Sequence, residues 1–145
     1  MKRINGFDEK QVFEMYNYLL AYEDCGIIKY KSTKALLLDH PELSELETVT
    51  GIIKCRKSNA YEMKGIDFKS LKNEIYFTKK YNNLLSLLNH LRNSIAHCGV
   101  VEHNGSVLIT DYANPRFLPV DFTARGCIEL NTIKTITMIL KKVKL

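Results

Sequence analysis

YNNLLSLLNHLRNSIAHC, residues 81–98, is the stretch on which the reading of the fold turns. Placed on a wheel at about 100° per residue, Leu84, Leu87, Leu88, Leu91, Ile95 and Cys98 fall on one half, the apolar stripe of a helix that faces a core. The other half carries Asn82, Ser86, Asn89, His90, Arg92, Asn93, Ala96 and His97. A solvent face ordinarily mixes Lys with Glu. This one holds amides, one Ser, two His and one Arg, with no acid and no Lys, so it reads as a hydrogen-bonding surface for a cleft or an interface. Gly99 follows where a left-handed residue commonly ends a helix.

Working outward, the texture changes directly after this helix. Val100 and Val101, then Asn104-Gly105, then SVLIT, predict a β-hairpin closed by a type I′ turn. DYANPRFLPVDF (residues 111–122) reads as an irregular loop or an edge strand, and residues 127–130 as a third short strand. A last helix is expected with Asn131 as its cap. Ile133, Ile136, Ile139 or Leu140, and Val143 then face inward, while Lys141, Lys142 and Lys144 face outward.

On the N-terminal side, Asp8 is a good N-cap and Gly26 a good left-handed terminator for a helix in which Val12, Met15, Tyr16, Leu19 and Leu20 recur at helical spacing. Residues 33–40 form a second helical region. A third starts at Pro41 and carries Leu43, Leu46, Val49 and Ile53. Asp67 is expected to cap another helical segment through Leu71, Ile75 and Thr78. The expectation is therefore a mainly α protein, a helical bundle with a small β-hairpin inserted before the C-terminal helix, as one domain over residues 1–145.

Composition bounds the function classes. The chain has 145 residues, 46% apolar and 26% charged, as in an ordinary globular domain. Its 21 Lys and Arg against 16 Asp and Glu leave a net charge of +5, an excess that favours a polyanionic partner without requiring one. No stretch reaches the roughly 18 apolar residues that span a bilayer, and MKRINGFDEKQ has no apolar run behind its basic start, so a cytoplasmic protein without membrane contact is expected. Cys25, Cys55, Cys98 and Cys127 are widely spaced with no CxxC pair, and read as reduced thiols. A zinc site from His97, Cys98, His103 and Cys127 fits no standard spacing. No metal or cofactor is expected, and no GxGxxG, P-loop, HExxH or GxSxG pattern occurs.

The chemistry resides in residues 86–97. Metal-free RNA cleavage needs a base for the 2′-hydroxyl, an acid for the leaving 5′-oxygen and cationic donors for the charge developing on phosphorus. A His with a near-neutral pKa serves as either base or acid. An Arg grips phosphate through a planar fork of donors, and an amide orients the imidazole or contacts the phosphate. Asn93 and His97 stack on successive turns, whereas Arg92 lies about 140° from His97 around the wheel. The bland alternative is a surface Arg beside a His that complements the helix dipole. Tyr16, Tyr18, Tyr22 and Tyr30 suit a core better than base stacking, and the Lys54-Arg56-Lys57, Lys79-Lys80 and Lys141–Lys144 clusters suit solvated faces.

The run LxxLRNSIAHCG resembles the signature helix of the HEPN superfamily, whose R-x(4–6)-H motif is matched by Arg92 and His97, with the polar residue after the Arg present as Asn93. The resemblance is specific over about twenty residues. It implies a helical bundle that forms a homodimer, in which the Arg and His of both subunits line one cleft and cut RNA as a metal-independent endoribonuclease. Many such relatives are toxins, abortive-infection proteins or antiviral-defence effectors, some neutralised by an antitoxin protein. On this resemblance Arg92 grips the scissile phosphate, His97 is the general base or acid, and Asn93 positions them; His90, Asn89 and Ser86 line the groove or bind RNA. The alternative is a non-catalytic HEPN-like module that binds RNA, a nucleotide or a partner protein. Relatives paired with a nucleotidyltransferase antitoxin carry a Tyr shortly after the His; here Cys98 and Gly99 follow instead.

Overall fold

The leucine stripe is buried as its spacing requires: Leu87, Leu88 and Leu91 are fully enclosed and Leu84 and Ile95 nearly so. The layer they pack against is not helical throughout. The structure, a computed structural model, describes residues 5–78, 83–112 and 122–143. These form, in order, α1 (Glu9–Cys25), a 3-10 turn (Ile27–Lys29), α2 (Thr33–Asp39), a second 3-10 turn (Pro41–Leu43), α3 (Glu45–Thr50), β1 (Lys54–Lys57) and α4 (Ala60–Lys64). A third 3-10 turn (Phe68–Ser70), β2 (Glu74–Phe77), α5 (Asn83–Ala96), β3 (Val100–His103), β4 (Ser106–Tyr112), β5 (Phe122–Glu129) and α6 (Leu130–Leu140) complete the order.

The strands make one five-stranded sheet in the order β1-β2-β5-β4-β3. β1 and β2 run parallel, joined through α4, and the other pairings are antiparallel. The expected mainly α bundle is therefore corrected to a mixed α/β fold: the hairpin is half of a sheet whose inner face is the floor of the core. α5 lies on β4, α6 on β5, and α1 packs across both helices. Val107, Ile109, Ala124 and Ile128 point into this layer with Ile75 and Phe77. Leu108 and Cys127, directly paired across β4 and β5, point to the opposite face. There α4 adds buried Met63, whose carbonyl accepts a 2.9 Å hydrogen bond from Arg125.

Two expected helical segments are also corrected. Glu74–Phe77 is a strand, because burial alternates with period two (Ile75 and Phe77 in, Glu74 and Tyr76 half out) although Leu71, Ile75 and Thr78 happen to sit at helical spacing. The segment from Pro41 is a 3-10 turn followed by the short α3, which ends at Thr50 before Ile53. α6 starts at Leu130, one residue before Asn131, and no side chain caps it. The part of residues 111–122 expected as loop or edge is strand at both ends, and positions 113–121 lie outside the described residues. Tyr81, Asn82, the Lys79-Lys80 pair and Lys144 also lie outside them.

Several local readings hold. Asp8 caps α1 in a reciprocal capping box with Gln11, and Gly26 ends the helix at φ 61°. Asn104 (φ 49°) and Gly105 (φ 81°) are both left-handed, as a type I′ turn demands. The end of α5 differs in mechanism. The left-handed residue is Cys98 (φ 59°), while Gly99 donates to the Ser94 carbonyl at 2.6 Å and Cys98 to Ile95 at 3.2 Å, a Schellman arrangement. Gly99 is needed for another reason: a Cβ there would lie 2.1 Å from the Thr110 carbonyl oxygen on β4. Asn5 completes this end, its side-chain amide donating to the carbonyls of Cys98 (3.3 Å) and Val100 (3.0 Å).

Candidate functional site

α5 positions the site because its apolar stripe is clamped between α1 and β4, which fixes the direction of its polar half. Ser86, His90, Asn93 and His97 follow one another at steps of four, three and four residues, a single line along the helix. The sheet and α1 then bring two acids to this face. Asp111, in the inward register of β4 with Val107 and Ile109, places Oδ2 2.8 Å from Nδ1 of His90 and 3.3 Å from the side-chain amide of Asn93, which donates to it. Glu23, in the last turn of α1, accepts a 2.9 Å bond from Nε of Arg92. The expectation of a face without acids is thus corrected: no acid is local to the helix, but tertiary structure supplies two.

These contacts form one chain of hydrogen bonds. Arg92 Nη1 donates to Asn93 Oδ1 at 3.1 Å, and the other end of that amide donates to Asp111, so both ends of Asn93 meet partners of the right kind. Asp111 is only 5% exposed, and a carboxylate so placed is costly unless paired. His90 and Asn93 supply the pairing. The Phe77 ring stacks on the imidazole at 5.0 Å between centroids and 19° between planes. The His90 tautomer that donates from Nδ1 to Asp111 leaves Nε2 as an acceptor.

The predicted site residues separate into two groups. Arg92, Asn93 and His90 are brought together. His97 is exposed in the final turn, and among the described residues its imidazole has no hydrogen-bond partner. No bond links it to Arg92, which turns instead toward α1. Ser86, Asn89 and His90 line a cleft of about 650 Å³ together with Tyr22, Lys31 and Thr123. Tyr22 reaches Asn89 at 3.5 Å, and Tyr18 donates to the Leu88 carbonyl at 2.7 Å. Burial raises both phenols above their ordinary pKa, with the Arg92 cation opposing the rise.

Asp111, Glu23 and Phe77 are the members that sequence reasoning missed. One signal was available for Asp111: in SVLITD, Val107, Ile109 and Asp111 share parity, so a carboxylate falls on the face that points at the core. Among the described residues no group of three or more His, Cys, Asp or Glu converges as a metal site, and no helix is long and apolar enough to cross a membrane. Neither a protein-family description, nor a curated protein, nor a solved structure matches this chain.

Proposed function

We propose that this chain is a cytoplasmic, metal-independent endoribonuclease of HEPN type, acting as a homodimer in a toxin or antiviral-defence role, with an antitoxin protein as a possible natural counterpart. The reading rests on the motif of α5 and not on the overall architecture, since the sheet departs from a pure bundle. The observation that carries it is the relation of Arg92 to His97. Arg92 is held at one edge of the polar face through Asn93, and His97 stands exposed one turn beyond that same Asn93.

The Arg92–Glu23 pair is accessible, with side chains 33% and 53% exposed. Such pairs contribute about 0.2–1 kcal/mol, so an RNA phosphate competes for the guanidinium at small cost. In the reaction, the 2′-hydroxyl gives its proton to a base and the 2′-oxygen bonds to the adjacent phosphorus. The bond from phosphorus to the 5′-oxygen breaks, and that oxygen takes a proton from an acid. The products are a 2′,3′-cyclic phosphate and a 5′-hydroxyl. Arg92 stabilises the charge on the phosphorane, and His97 provides one of the two proton transfers. A second copy, placing its own Arg92 and His97 across the same strand, completes what one chain leaves separated.

Purified protein is expected to degrade single-stranded RNA in EDTA, and Arg92→Ala and His97→Ala each to abolish this. Cleavage that survives both substitutions defeats the assignment. One observation favours a second reading, a binding-only module: among the described residues no side chain orients the His97 imidazole. In that case RNA or a nucleotide binds without being cut, and expression does not arrest growth, whereas the nuclease arrests growth and its His97→Ala variant does not.

A further inference from the structure

We infer that the cleft beside His90 is a ribonucleotide subsite in which His90, oriented by Asp111, accepts the hydrogen of a ribose 2′-hydroxyl. The inference rests on the RNA reading for the identity of its occupant, but its geometry is independent of His97.

Three observations carry it. First, the His90–Asp111 pair is built. The carboxylate is buried, the imidazole has the Phe77 ring stacked on one face, and its Nδ1 edge meets Asp111 at 2.8 Å. A His held in this way has one nitrogen left for a ligand, and among the described residues nothing hydrogen-bonds Nε2. Second, His90 lines a cleft of about 650 Å³, within the range of small-molecule sites. Third, the cleft wall has the parts that a nucleotide requires. Half-buried Tyr30 offers a ring edge for a base, Asn89 and Ser86 offer donors and acceptors for a base edge or sugar, and exposed Lys31 stands at the rim for a phosphate. The +5 net charge of the chain suits the same ligand.

In the cleavage reaction this places the proton acceptor at His90. The 2′-hydroxyl proton passes to Nε2, and the resulting imidazolium is stabilised by the Asp111 carboxylate. His97 is then the proton donor to the 5′-oxygen. Arg92, linked to Asp111 through Asn93, sits at the edge of this face in its exposed pair with Glu23, from which a phosphate would draw it.

The experiment uses the full chain and the four nucleoside 3′-monophosphates with their 2′-deoxy counterparts, none of which has a bond for the nuclease to cut. Binding is followed by titration and by ¹⁵N NMR of the histidine rings. At least one ribonucleotide should move the His90 ring signals and bind about tenfold more tightly than its 2′-deoxy form, the value of one well-placed hydrogen bond. His90→Gln should erase that preference. Asp111→Asn should weaken it and change the His90 tautomer signature. Asn89→Ala, which leaves the His90–Asp111 pair in place, should weaken binding of both forms alike. Unmoved His90 signals, an equal affinity for the 2′-deoxy form, or a preference that survives His90→Gln overturns the subsite. RNA cutting with no mononucleotide at His90 keeps the nuclease and removes this subsite. Mononucleotide bound at His90 with no RNA cutting keeps the subsite and removes the nuclease.

Discussion

The carboxylate of Asp111 on β4 lies 2.8 Å from the imidazole of His90 on α5, and it also accepts from Asn93 one turn along the same helix. A single buried charge thereby anchors two polar side chains of a helix whose own sequence holds no acid on that face. Replacing it with a group that cannot accept leaves two half-buried donors stranded. Asp111→Ala is expected to cost about 2–3 kcal/mol in urea denaturation, with Asp111→Asn less damaging because one acceptor remains. A loss below about 0.5 kcal/mol for the alanine variant would show that the network is not formed.

The end of α5 supports a paired prediction of opposite sign. Cys98 adopts φ 59°, a conformation that glycine reaches without penalty, so Cys98→Gly should stabilise by about 1 kcal/mol. Gly99→Ala should destabilise by several times that amount, because its Cβ would meet the Thr110 carbonyl at 2.1 Å and push α5 off β4. Thermal denaturation of both variants decides the matter.

Alkaline pH provides a third test. Burial, with a smaller contribution from Tyr22, raises the Tyr18 phenol well above its ordinary value of 10.0. Both folded and unfolded chains keep it protonated below that value. Above it the unfolded chain ionises first, so the native state loses stability as pH rises, at up to about 1.4 kcal/mol per pH unit for this group. Tyr18→Phe should remove this part of the loss. It should also cost about 1 kcal/mol at neutral pH through the missing bond to Leu88. Equal alkaline slopes in the two proteins would contradict the assignment.

Thiol chemistry should distinguish the four cysteines, none of which is in a disulfide. Cys98 is exposed, whereas Cys25 is buried, donates to the Leu140 carbonyl at 3.2 Å, and has its pKa raised to about 11 by burial with help from Asp24 and Glu42. Iodoacetamide at pH 8 should modify Cys98 within minutes and leave Cys25 intact until the protein unfolds. Peptide mapping by mass spectrometry reads the order directly.

Glu23 tests the availability of Arg92. Glu23→Gln should change stability by less than about 1 kcal/mol, since the pair is exposed. It should tighten binding of single-stranded RNA at low salt, and Arg92→Ala should weaken it while reducing the salt slope by about 0.7. Affinity unchanged by either substitution would remove Arg92 from the RNA contact.

Much of this was legible locally. The Asp8 and Gly26 ends of α1, the leucine stripe of α5, the Asn104-Gly105 turn and the inward isoleucines of α6 are each encoded within a few residues of where they act. β1 was not legible: KCRK is a charged run with only Cys55 half-buried, and it is a strand because β2 offers it a free edge. β2 was obscured because its two buried residues, Ile75 and Phe77, are too few to outweigh a chance helical spacing with Leu71 and Thr78. The candidate site divides in the same way. Arg92, Asn93, His90 and His97 were visible as a helix face, whereas Glu23, Phe77 and Asp111 join from other elements.

By itself, then, the sequence determined which residues form the polar line of α5 and which way that line must point, because an apolar stripe can be buried in only one direction. It also determined the turn that makes β3 and β4 antiparallel. Only the tertiary structure decided that these strands continue into a five-stranded sheet, that Arg92 turns to Glu23 away from His97, and that Asp111 meets His90. Caps, turns and helical periods are settled by groups a turn or two apart. Contacts across 18 to 69 positions of chain, as in Asn93–Asp111 and Arg92–Glu23, depend on which strands pair and in what register, and no local pattern carries that information.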